Sequence, residues 1–92
     1  MNTEEKRIFI LDNRFVYVGY GNKVKDYMLG DCVEITDCYN VRYYGTNKGL
    51  SQLAYQGKQE GTTLDYCPPL RVPISRIVAT IKVEDKIKDT LC

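Results

Sequence analysis

The longest stretch of this chain without an acidic side chain runs from Cys38 to Gln59 and holds Tyr39, Tyr43, Tyr44 and Tyr55 beside Arg42, Lys48 and Lys58. Flat π faces next to uncompensated positive charge suit a small, flat anion, and a nucleotide has that form. Arg42 can grip a phosphate with two parallel N–H groups, and Lys48 can add a point charge. Tyr43, Tyr44 and Tyr55 are candidates to stack on bases, a contact worth about 1 to 3 kcal/mol per base in single-strand binders. Thr46, Asn47 and Ser51 bring hydroxyl and amide groups able to sort one base from another. The same composition also fits plain packing, because tyrosine is a good strand residue and lines half-buried sheets.

Catalytic chemistry has less to draw on. The chain contains no histidine, the side chain that most often serves as general base or activates a serine or cysteine. Carboxylates such as Asp31, Glu34, Asp37 and Asp65 could act with a metal, but no D-x-D, E-x-x-E or glycine-rich phosphate loop singles out a pair. No enzyme activity, metal or cofactor is expected. Of the cysteines, Cys32, Cys38, Cys67 and Cys92, no two form a C-x-x-C pair, so a zinc site lacks its usual spacing. Cys32 and Cys38 are expected on one face of the chain, about 20 Å apart along a strand, too far for a disulfide.

At 92 residues and 10.6 kDa the chain has material for one domain, residues 1–92. A domain of that size buries only about 60 to 65% of the surface its unfolded chain exposes, so a homo-oligomer is expected to hide more. The formal net charge is +1, which provides no broad footprint for duplex DNA or an anionic membrane. No run approaches the roughly 20 apolar residues of a membrane helix, and the first residues lack a signal-peptide core. A cytoplasmic protein with reduced cysteines is the expectation.

The elements that would position the tyrosine-rich stretch are short strands. Arg7 to Leu11 and Arg14 to Tyr20 form a hairpin around Asp12-Asn13. In its second arm both faces are apolar, with Phe15 and Tyr17 one way and Val16 and Val18 the other, so both need cover. Gly19 to Lys23 is expected as a turn and Lys25 to Gly30 as a connection. Strands over Cys32 to Thr36 and Val41 to Gly45, separated by a turn or bulge at Asp37 to Asn40, are expected to pair with each other. Alternation then keeps Tyr43 and Tyr44 off a common face.

Gly49 to Gln56 has Leu50, Leu53 and Ala54 at helical spacing, with Gly57 as its C-cap. The loop before it, Gly45 to Gly49, would offer either a phosphate seat or a cap from Thr46 or Asn47. Leu64 to Cys67 reads as an edge strand stopped by Pro68-Pro69. In the strand from Ile74 to Val83, Ile77, Ala79, Ile81 and Val83 are expected on one face. Residues 1–6 are expected to be flexible and 84–92 to form a C-terminal helical tail. The fold class is α+β: a β-rich antiparallel sheet of about five or six short strands with one short helix and that tail. Arg71 and Arg76 lie in a second acid-free stretch and are expected to be solvated strand residues, or to join the site across a subunit interface.

The run from Val33 through Arg42-Tyr43-Tyr44-Gly45 to Leu50-Ser51-Gln52-Leu53-Ala54 and Gly57 resembles a family of small phage-encoded proteins. In that family an aromatic strand precedes an LSxLA…G helix. The resemblance spans roughly residues 8 to 83, with tyrosines where the family has tryptophans. It implies a protein resembling the anti-CBASS sponges with which phages sequester cyclic nucleotide signals in the host bacterial cytosol: a non-catalytic homo-oligomer whose partner is a cyclic dinucleotide or a related nucleotide. The alternative is a protein–protein interaction module, either a host-enzyme inhibitor or a virion accessory protein, since tyrosine and arginine are also enriched at interface hot spots.

Overall fold

Two long antiparallel strands carry the molecule. The computed structural model describes residues 5–43, 45 and 49–87. Strand β1 spans Lys6–Leu11, β2 Val16–Asp26 and β3 Gly30–Tyr43. After helix α1, Ser51–Gln56, come β4, Thr63–Cys67, β5, Leu70–Pro73, and β6, Ile77–Lys82. The strands form one antiparallel six-stranded sheet in the order β4-β3-β2-β1-β6, with β5 also on β3. The outer edge of β3 is shared: β5 pairs along Cys32–Ile35 and β4 along Cys38–Tyr43, with Pro68-Pro69 at the break.

Both faces of this sheet are apolar, and the chain covers both. On one face α1 lays Leu53 and Ala54 over Ile8, Val16, Val18 and Val41, with Val83 beside them. On the other, Phe9, Leu11, Val33, Ile35, Cys38 and Val72 form a second core. Val16 and Val18 thus find cover within one chain and Tyr17 partial cover, whereas Phe15 is left open.

Local irregularities explain where the strands depart from simple alternation. Between the pairs Val18↔Tyr39 and Tyr20↔Thr36, β3 carries one extra residue opposite Gly19. Asp37 there takes φ 47°, a left-handed conformation that aspartate tolerates. The expected interruption is thus a bulge, and the two strands expected to pair with each other are one continuous strand. A Cβ on Gly19 would sit 2.6 Å from the Thr36 carbonyl oxygen, so the bulge depends on that glycine. By reversing the alternation, the bulge also moves Cys38 off the face of Cys32 and opposite Cys67 on β4.

The expected turn over Gly19 to Lys23 is strand instead. Gly21 serves close approach, since a Cβ there would lie 2.6 Å from Phe9 Cζ. The chain reverses at Tyr27–Leu29, where Asp26 Oδ1 accepts the Met28 and Leu29 N–H groups at 2.8 and 3.0 Å. At the far edge, Ile74–Arg76 is a 3-10 turn. Register then shifts between Ile10↔Ala79 and Leu11↔Ile77. Ile77 consequently packs with the Phe9 core and Ile81 with the Ile8 core, not on one face as alternation alone predicts.

The expected helix is present, starting at Ser51 with Leu50 at its N-cap position and no side-chain cap. The Gly57 N–H, at φ 79°, donates to the Leu53 carbonyl at 3.1 Å. The helical tail is not observed over its described part: Asp85–Ile87 is a single 3-10 turn, and residues 88–92 lie outside the described residues. That segment is tied down, because the Glu84 N–H donates to the Ala54 carbonyl at 2.8 Å and Ile87 packs on the core under α1. No described helix is long and apolar enough to cross a membrane.

Candidate functional site

The β1–β2 connection is built around Asn13, whose Oδ1 accepts the Phe15 N–H at 3.0 Å. Arg14 donates its N–H to the Leu11 carbonyl at 3.0 Å and takes φ 73°. A long side chain in the left-handed region costs of order 1 kcal/mol, and such residues cluster where chains hold side chains for use. A bond from the Asp12 N–H to the Arg76 carbonyl, 2.9 Å, anchors the turn. Arg14 and Phe15 are thereby held over the ends of β2 and β3.

Beneath them lies a cavity of about 450 Å³. Its walls are Arg14 and Phe15 from the turn, Val16 and Tyr17 from β2, and Asn40, Val41 and Arg42 from β3. Phe15 is 54% exposed and meets Tyr17 edge to face, with ring centroids 6.4 Å apart. The Asn40 amide is fixed by donating to the Val16 carbonyl at 3.2 Å. Burial, then the nearby Cys67 and Cys38 thiols, push the Tyr17 phenol above its ordinary pKa. The phenol therefore stays a neutral hydroxyl near neutral pH.

Arg42 is the extra residue of a second irregularity in β3, between Val41↔Leu64 and Tyr43↔Thr63. Its Nε sits 2.9 Å from Asp65 Oδ2, and the two side chains are 62% and 44% exposed. An exposed pair of this kind holds the guanidinium by about 1 kcal/mol or less. The remaining N–H groups of Arg42, and the whole guanidinium of Arg14, have no partner among the described residues. Asp65 tempers the positive potential, which leaves the cavity suited to a compact anion with a flat apolar part.

Of the residues singled out in the sequence, Arg42 lines this cavity. Tyr43 is 63% exposed and, by its pairing with Thr63, shares the face of Asp65 without lining the cavity. Ser51 and Tyr55, exposed and half-buried, ride on α1, and neither lines the cavity. Tyr44, Thr46, Asn47 and Lys48, and the phosphate seat proposed around them, lie outside the described residues. Tyr39 meets Tyr66 edge to face at 5.8 Å. Sequence reasoning misses Arg14, Phe15, Tyr17 and Asn40 as site residues, although Arg14-Phe15 at a hairpin tip repeats the basic and aromatic juxtaposition of the later stretch.

The other two arginines in question are engaged. Arg71 pairs with Glu34 at 3.2 Å and Asp26 at 3.3 Å, and Arg76 with Asp12 at 3.5 Å. No group of three or more metal-ligating side chains occurs among the described residues. Comparison with family models, curated proteins and solved structures finds no match to the chain.

Proposed function

We propose that this chain captures a small cyclic nucleotide without turning it over, and that Arg42 and Arg14 are its phosphate contacts. The observation that carries this is the cavity where two guanidiniums, one without a partner among the described residues and one weakly paired, flank the exposed ring of Phe15. Guanidiniums grip phosphate oxygens in pairs, and an exposed aromatic ring offers a stacking surface for a base. In a host bacterial cytosol, stoichiometric capture of this kind would silence a nucleotide signal. A homo-oligomer is inferred only from the limited surface that a chain of 92 residues can bury by itself.

The test is a thermal-shift screen against cyclic di- and trinucleotides and cyclic ADP-ribose isomers, followed by chromatography of the recovered nucleotide. A ligand at about 100 times its Kd adds about 2.7 kcal/mol of stability, several degrees for a domain this small. The expected result is a shift with one nucleotide class, returned intact on denaturation. A flat panel at saturating concentration would reject nucleotide capture, and a cleaved product would make the chain an enzyme.

A second function, as a protein–protein interaction module, is favoured by one feature. The β2–β3 turn presents Tyr27, Met28 and Leu29 at 95%, 76% and 49% exposure. Three consecutive exposed apolar side chains at a hairpin turn suit the centre of an interface. With Tyr27→Ser and Met28→Ser, such a module would lose stoichiometric retention of its partner and keep its melting temperature.

A further inference from the structure

A larger cavity, of about 470 Å³, opens elsewhere and shares no residue with the Arg42 site. Its lining includes Phe9 from β1, Gly21 from β2, Val33 from β3, and Ile74 and Ile77 from the 3-10 turn and β6. The cavity exists partly because position 21 carries no side chain, so the Phe9 ring lies against bare backbone. Ile74, 38% exposed, forms an apolar lip. Most of the lining is therefore hydrocarbon, as in pockets that bury the body of a small molecule.

The rim is charged. Arg7 is held in place, its Nη1 donating to Thr80 Oγ1 at 2.9 Å and its Nη2 paired with Glu5. Lys23 lines the same cavity, and its ammonium has no partner among the described residues. Two cations against one carboxylate leave one positive charge over an apolar slot. That balance matches a ligand with one negative charge and an apolar body. A multiply charged phosphate ester would bring more negative charge than the rim offsets, and a neutral molecule would leave Lys23 unused.

We propose that this cavity is a second binding site, for a small organic acid with a single carboxylate, whose hydrocarbon part lies on Phe9 and Val33 while Lys23 takes the carboxylate. Arg7, already committed to Glu5 and Thr80, shapes the wall and contributes less to the anion.

The experiment is an NMR titration of the ¹⁵N-labelled full chain with 2-naphthoate and decanoate, which separate a flat body from a chain-like one. 2-Naphthylmethanol serves as the uncharged control. Saturable shifts centred on Gly21, Lys23, Val33 and Ile77 are expected with at least one of the acids, and about tenfold weaker binding with the alcohol. Lys23→Gln, at an exposed position that leaves the core untouched, should weaken the acid about tenfold with an otherwise unchanged spectrum. Arg7→Gln should weaken it less. No saturable shifts with either acid up to about 5 mM, shifts centred on other residues, equal binding of the alcohol, or an unaffected Lys23→Gln variant would each overturn the assignment. Nucleotide capture can fail without touching this result, since the sites share no residue.

Discussion

Arg42 sits in one half of β3 and Arg71 lies beside the other half, on β5, and each reaches a carboxylate on a neighbouring strand. Arg71 crosses from β5 to Glu34 on β3 and Asp26 at the end of β2, and Asp26 also holds the β2–β3 turn through two backbone N–H groups. Both partners of Arg71 are largely shielded, at 32% and 16% side-chain exposure. Among the described residues Arg42 has one partner, Asp65, and both are open to solvent. The same residue type thus locks a hairpin in one half of β3 and remains available in the other. Arginine in an acid-free stretch is no guide to function by itself; how many carboxylates converge on it decides.

The largest effect comes from breaking the frame both arginines share. Ile35, fully buried between them, should cost about 2 to 5 kcal/mol on change to alanine, read by urea unfolding. Gly19→Ala attacks the bulge that divides the two halves. Its methyl would meet the Thr36 carbonyl oxygen at 2.6 Å and Ile35 Cγ2 at 2.8 Å, for a loss of about 1 to 3 kcal/mol in the same assay. Arg71→Ala should then lower the melting temperature clearly more than Arg42→Ala, which should change stability by less than about 1 kcal/mol.

Acid sharpens the contrast further. Bonds from the Met28 and Leu29 N–H groups, and then Arg71, hold Asp26 below the ordinary carboxylate value of 3.8. A depressed folded pKa stabilises at pH above that ordinary value, and the stabilisation is lost as pH falls through the folded one. Melting temperatures taken from pH 5 down to about pH 2 should fall less steeply in Asp26→Asn than in the parent. An equal slope would remove Asp26 from the lock.

Much of the sheet was legible in the sequence, because the β-branched and aromatic runs of β1, β2 and β6 and the proline pair after β4 act locally. The Leu50, Leu53 and Ala54 spacing likewise located α1 to within two residues. The joins were not legible. Gly19 and Gly21 signal a turn by composition, yet here they admit a bulge and an aromatic ring, contacts made by residues far away in the chain. Asp37 breaks the alternation without breaking the strand, and the 3-10 turn at Ile74–Arg76 hides inside a run that alternates like strand. Arg42 was legible as a charge beside aromatics. Its cavity partners, Arg14 and Phe15, stand 27 or more positions earlier and are brought to it by the pairing of β2 with β3.

The most direct test of the Arg42 site is isothermal titration of the nucleotide that emerges from the thermal-shift screen into the parent, Arg14→Ala, Arg42→Ala and Arg71→Ala proteins, each checked for folding by circular dichroism. Loss of one charge-assisted phosphate contact should weaken binding about tenfold or more in the Arg14 and Arg42 variants and leave the Arg71 variant near the parent value. Equal affinities for the parent and for both the Arg14 and Arg42 variants, with all proteins folded, would contradict the assignment of this cavity.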